Sequence, residues 1–250
     1  MVRLKVLTMM LISSVILFLL LPVAQAEEVK ISLIDTPSGG GCAGTACDPY
    51  LVSVQPVDST PPYNPTGAAV DMLLNCDDFN DHISVFPSYW IADVMPGSQD
   101  LSGTEMAVKK ATQWATTGVW TGSSYSGTIT ANEVYDMKAY IEAFYGPNVN
   151  PAYTVAIWSL FDPSLKPYLP SGADPILAAA YAFAQADQGT GYLTYRQYLT
   201  VYSPVSTIFG GPYAGDQPQE LDTVPDGGVT LMLLGGALVG LETLRRKLHV

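Results

Sequence analysis

Two apolar segments, each with basic residues beside it, bound this chain, and they leave the stretch between them to build a folded body. The first segment runs from Met1 to Ala26. Arg3 and Lys5 precede an apolar run from about Val6 to Leu21, and the segment ends Val-Ala-Gln-Ala ahead of Glu27-Glu28. Small residues at Ala24 and Ala26 suit the narrow pocket of signal peptidase, so the sequence predicts a signal peptide over 1–26, cut after Ala26. The apolar run is short for a full membrane span.

The second segment opens with Val224-Pro225-Asp226-Gly227-Gly228, continues apolar from Val229 to Leu244 and closes with Arg245-Arg246-Lys247. A helix of about 16 residues rises roughly 24 Å, and a cationic cluster holds its end on the cytoplasmic side of a membrane. The order of Pro motif, short apolar helix and Arg cluster over 225–250 resembles the PEP-CTERM sorting signal of Gram-negative envelope proteins. The resemblance implies an exosortase-type membrane protease as a processing partner, acting near Val224, Pro225, Asp226, Gly227 and Gly228. It also implies transient anchoring in the inner membrane through 229–244, with Arg245 and Arg246 as the retention signal. The destination it implies is the cell envelope, the cell surface or the medium.

Once these ends are set apart, the charge balance sharpens. The whole chain carries 11 Lys+Arg and 23 Asp+Glu, a net −12, but residues 27–224 keep 6 of the basic and 21 of the acidic side chains, or −15. An acidic body of this kind argues against nucleic acid as a partner. Its length suits one domain with a substantial core. Pro and Gly cluster at 37–44, 61–65 and 210–212, and the stretch 210–224 reads as a linker, leaving 27–209 as the extracytoplasmic domain.

Within that domain the hydrophobic period changes once. Val29–Ile34, Tyr50–Val57 and Ile83–Val94 carry the β-branched and aromatic residues of strands. After Gly103 the spacing turns helical: Thr104–Trp114 with Thr104 as N-cap, then Ala131–Tyr145, Ala152–Leu160 and Asp174–Asp187. In Ala131–Tyr145 the spacing puts Val134, Met137, Ile141 and Phe144 on the apolar face. Thr194–Tyr202 returns to strand. Strands, then helices, then a strand predict an α+β protein, an antiparallel β-sandwich or barrel with an inserted helical sub-region.

The three cysteines are Cys42, Cys47 and Cys76. Glycines around Cys42 and Cys47 give the backbone freedom to close a small ring, and an oxidising compartment favours a disulfide between them, with pairing of either to Cys76 left open. Cys76 stands in Leu73-Leu74-Asn75-Cys76-Asp77-Asp78-Phe79. Further on come Val134-Tyr135-Asp136-Met137-Lys138-Ala139-Tyr140-Ile141 and Tyr153-Thr154-Val155-Ala156-Ile157-Trp158. In this order the motifs resemble a group of PEP-CTERM surface proteins and, through them, the thioester domains of bacterial adhesins. That resemblance covers roughly residues 50–205. It implies a Cys side chain joined to a Gln carboxamide as a stored acyl electrophile for a host or matrix amine. Cys76 falls on the thiol position and Thr154 on the Gln position. Threonine has no carboxamide, so the motif predicts the fold without the chemistry; Gln113, in Thr112-Gln113-Trp114-Ala115, matches poorly as a substitute.

Other chemistry is thinly represented. Asp77, Asp78 and Asp81 with Asn80 form the densest acidic cluster, yet they lack the spacing of a calcium loop and read as a solvated loop. The two histidines are His82 and His249, too few for a His-based zinc site and a poor basis for a Ser-His-Asp triad. No glycine loop carries a phosphate-binding Lys, so no cofactor and no metal are expected. Fifteen Tyr and four Trp, among them Tyr89, Trp90, Trp114, Trp120, Tyr125, Tyr192, Tyr195, Tyr198 and Tyr202, offer either core packing or a stacking surface for an exopolysaccharide or a surface protein. The sequence therefore predicts an exported, non-enzymatic surface, adhesion or matrix protein. A covalent thioester adhesin using Cys76 and a secreted carboxylate-dependent hydrolase stand as the alternatives.

Overall fold

The computed structural model describes residues 28–35, 49–77, 88–145, 151–186, 195–210 and 214–223. Six strands form a closed antiparallel barrel: β1 (Glu28–Asp35), β2 (Tyr50–Pro56), β3 (Val70–Cys76), β4 (Trp90–Pro96), β5 (Thr200–Pro204) and β6 (Leu221–Thr223), in the order β1-β2-β3-β6-β5-β4. Closure removes the exposed sheet edges that invite aggregation. Strand β2 shows the alternation that a barrel wall requires, with Tyr50, Val52 and Val54 buried and the intervening residues half-buried. With Ile31, Leu33, Leu74, Cys76, Trp90, Ala92 and Leu221 they fill the barrel.

Between β4 and β5 the described residues form the helices α1 (Glu105–Thr116), α2 (Ala131–Tyr145), α3 (Pro151–Phe161) and α4 (Ala173–Ala186), together with the 3-10 turns Pro163–Tyr168 and Tyr195–Tyr198. This is the α+β architecture expected from the sequence, with a barrel as the strand layer. Thr104 caps α1, its hydroxyl accepting from the Ala107 amide at 3.2 Å. Helix α3 is buried on every side from Thr154 to Phe161, as its nearly unbroken apolar run demands, and forms the axis of a second core with Trp114, Tyr135, Ile141, Ile176 and Leu177.

Arg196 ties the exit of the insertion to its entry. It donates to the carbonyls of Gly97 at 2.8 Å and Gln99 at 2.7 Å, and to the side chains of Asn132 and Asp136. The approach is so close that a Cβ on Gly97 would stand 1.8 Å from the Arg196 carbonyl oxygen, which only glycine avoids.

Several local expectations change. Residues 195–198, read as the start of a strand, form a 3-10 turn, and β5 begins at Thr200. Strand β4 begins at Trp90, and 83–87 lie outside the described residues. The stretch 210–224, read as a linker, contributes β6: Leu221 and Asp222 are buried, and their pairing with β3 and β5 closes the barrel. Gly210 and Pro218 suggested a spacer because local punctuation is all the sequence displays there; the strand exists through partners far away in the chain. Among the described residues no helix is long and apolar enough to cross a membrane, and the segment 229–244 lies outside them.

Candidate functional site

The seam between β3 and β6 places four polar residues on one outward patch of the barrel wall. Cys76 pairs with Leu221, and both point into the barrel. By the alternation of the pleat, Asn75 and Asp222, which also pair, face the other way, as do Asp77 and Glu220, whose backbones are joined by an Asp77 N–H to Glu220 C=O bond of 3.1 Å. This outer face is covered by α2, which presents Tyr135, Lys138 and Glu142, spaced three and four residues apart and therefore on one helical stripe.

Lys138 is the hub. Its Nζ lies 2.7 Å from each of three carboxylates, Asp77 Oδ1, Glu142 Oε1 and Asp222 Oδ2. The side chains of Lys138, Asp77 and Asp222 are fully buried. Asn75 Nδ2 donates to Glu142 Oε1 at 2.9 Å. Glu220 stands beside them: one oxygen accepts a very short bond from the Tyr135 hydroxyl, the other accepts from the Met106 amide in the first turn of α1 at 3.3 Å. Thr104 hydrogen-bonds the same Tyr135 hydroxyl at 2.7 Å, so the cap of α1 and the cluster form one network.

Four buried carboxyl groups with one ammonium cannot all ionise, because an uncompensated buried charge costs several kcal/mol. Protons are retained instead. Burial is the main cause that pushes Asp77 up to about 6 and raises Glu220 and Asp222 well above the usual carboxylate range; neighbouring carboxylates add to it and Lys138 opposes it at Asp77 and Asp222. The Asp77 charge adds to burial in raising Glu220, so a proton on one of these neighbouring carboxyls eases the other. For Lys138 burial alone favours the neutral amine, yet Asp222, Asp77 and Glu142 outweigh it and hold the group well above the ordinary lysine range. Burial likewise raises Tyr135, which keeps its phenol a donor to Glu220.

The sequence-derived site residues fall unevenly on this picture. Asp77 is a fully buried partner of Lys138, not a solvated loop acid as its neighbours suggested; Asp78, Asn80, Asp81 and His82 lie outside the described residues. Cys76 is a buried thiol in the barrel core, and its carbonyl accepts from Trp158 Nε1 at 2.9 Å. Thr154 is buried on α3, whose apolar residues belong to the other core, so α3 approaches Cys76 from the backbone side. Gln113 lies on α1. Cys42, Cys47, Ala24, Ala26, Val224 to Gly228, Arg245, Arg246 and His249 lie outside the described residues. Among the described residues no group of His, Cys, Asp and Glu is arranged to hold a metal ion.

Among the described residues the aromatic side chains named above do not all converge on one surface. Trp90 and Trp114 are core residues, and Tyr89 stacks on Phe209. Trp120 and Tyr125 meet edge-on with Lys166 Nζ 3.6 Å from the Trp120 ring centre. Tyr202 is largely buried, Tyr198 is 49% exposed, and Tyr192 lies outside the described residues. Tyr195 instead joins Tyr140, Phe144 and Phe183 in a four-ring cluster against α2 and α4.

Lys138, Glu142, Glu220, Asp222 and Tyr135 carry the site and were not singled out by sequence reasoning as functional. One signal was present: among six basic residues in an acidic body, Lys138 interrupts the apolar stripe of a helix and has an acid four residues on. Comparison of the chain with protein-family models, curated proteins and solved structures finds no match.

Proposed function

We propose that this chain is an exported cell-envelope or extracellular-matrix protein, sorted by an exosortase-type system, with a non-enzymatic surface or adhesion role. One observation carries the reading. Strand β6 extends the folded body to Thr223, the residue before Val224-Pro225-Asp226-Gly227-Gly228, so along the chain the barrel is followed at once by the motif that resembles a sorting signal. Signal peptidase and an exosortase-type protease are then the processing partners, and an acidic body of net −15 remains to face an exopolysaccharide or a surface protein. The non-enzymatic part draws support from the cluster, whose Lys138, Asp77, Glu220 and Asp222 are 0% exposed and are held by one another.

The test expresses the full chain in a Gram-negative host with and without its exosortase. The expected products begin at Glu27, and release from the membrane requires the protease. Recovery of cytosolic chain with Met1 intact would overturn the proposal.

A further inference from the structure

We propose that Lys138 and Asp222 condense to an intramolecular isopeptide bond that staples α2 to β6, the closing strand of the barrel. The geometry comes first. Lys138 Nζ sits 2.7 Å from Asp222 Oδ2, with both side chains fully buried, so the carboxyl carbon lies one bond beyond an atom already in contact with the amine. Such positioning is what turns a slow bimolecular condensation into an effective intramolecular one.

The three candidate acceptors differ in their other contacts. Glu142 Oε1 also accepts from Asn75 Nδ2. The oxygens of Asp77 and Asp222 alike have no hydrogen-bond partner among the described residues beyond their 2.7 Å contacts with Lys138. Burial raises Asp222 further than Asp77, so Asp222 is the carboxyl that keeps the proton the attack requires, while Asp77 and Glu142, each 2.7 Å from Nζ, are placed to accept a proton.

The step balances without any oxidant or cofactor. A proton passes from the Lys138 ammonium to the Asp77 or Glu142 carboxylate, and the neutral amine attacks Cγ of protonated Asp222. The new N–Cγ bond forms and a Cγ–O bond breaks. The nitrogen's second proton and the departing hydroxyl leave as one water molecule, with Asp77 or Glu142 as the shuttle. Desolvation supplies the driving force: a buried ammonium and carboxylate are replaced by a neutral amide, and the charge that burial penalises disappears from the interior. Asp77 and Glu220, already biased toward their protonated forms, no longer need a cation.

Mass spectrometry of the purified full chain tests this directly. Reduced and denatured, the chain is expected to weigh one water less than its own termini define, and digestion is expected to yield a branched peptide joining Lys138 to Asp222. The deficit should survive hydroxylamine, which opens a thioester, and should vanish in Lys138→Arg, whose guanidinium keeps the charge but is no nucleophile. Separate peptides carrying unmodified Lys138 and Asp222 would overturn the proposal, as would a branch at Asp77 or Glu142, or a hydroxylamine-labile deficit of one ammonia. The peptide map of the unsubstituted chain decides the matter even where a variant fails to fold.

Discussion

On the two sides of helix α2, Lys138 and Phe144 reverse the usual rule of burial. One side places Lys138 at 0% exposure, whereas the other leaves Phe144 56% exposed against Tyr140 and Tyr195. Val134, Met137 and Ile141 of the same helix are fully buried, so hydrophobicity accounts for most of its orientation and Lys138 is the residue it does not explain. What decides that residue's place is the surface each side meets. The β3–β6 seam presents Asp77 and Asp222, which a lysine satisfies and a phenylalanine would leave unpaired. The opposite side meets Phe183 and Tyr195, themselves half-buried, where rings can pack without being sealed. A polar group belongs inside when its partners are already there, and the cost of removing it is set by what it leaves behind.

Lys138→Met should break this contrast most severely. Removing one partner of a buried ion pair typically costs about 3–5 kcal/mol, and here several carboxyls lose their common cation. Denaturant unfolding should show the larger loss at neutral pH and a smaller one in acid, where the orphaned carboxyls take up protons. An equal loss at both would mean that Lys138 acts through packing alone.

The pH profile of the unsubstituted protein comes next. Asp77 moves from 3.8 to about 6 on folding, so between those values the folded state binds more protons than the unfolded one. Its contribution is fully present below 3.8 and is lost as the pH climbs through about 6. Glu220 and Asp222, raised further, extend the decline in the same direction. Thermal melts should therefore show Tm falling from mildly acidic toward neutral pH; a Tm that rises across that window would show these carboxyls to be solvated and ionised.

Tyr135→Phe is smaller. It deletes the hydroxyl that bridges Thr104 and Glu220 while keeping the ring packed on Phe161, for an expected loss of about 1–2 kcal/mol. The denaturation midpoint measures it. Phe144→Ser, on the exposed side, should cost about 1 kcal/mol or less by the same assay. A loss matching that of Lys138→Met would erase the distinction between the two sides.

The helical layer was the most legible part of the sequence. Most of its helices show their own period or an apolar run bounded by turn residues, and Ala131–Tyr145 has the bounds that its spacing predicted. The same periodicity nonetheless placed Phe144 inward and passed over Lys138, because it counts apolar residues and is blind to the surface opposite. Strand β3 was obscured for a related reason: Val70 and Leu73 are both 56% exposed, so its apolar residues do not mark its buried face. Strand β6 is three residues long with an aspartate at its centre, and no local pattern announces it. The cluster gathers residues from 77, 138, 142, 220 and 222, and only the closed barrel brings them together. Cys76, chosen for its motif, proved to be a neighbour of this site along the chain while facing the opposite side of the wall.

The position of β6 also sets an order of events. A chain that emerges N-terminus first can build β1 through β5 and the helices between them, yet β3 and β5 keep bare edges until Leu221–Thr223 arrives to join them. Pairing across so long a separation is slow compared with local helix formation. The barrel is thus a clasp whose tongue is the last part of the described chain to be made, and a protein stalled or cut before that point would present two bare strand edges and a lysine still missing a carboxylate.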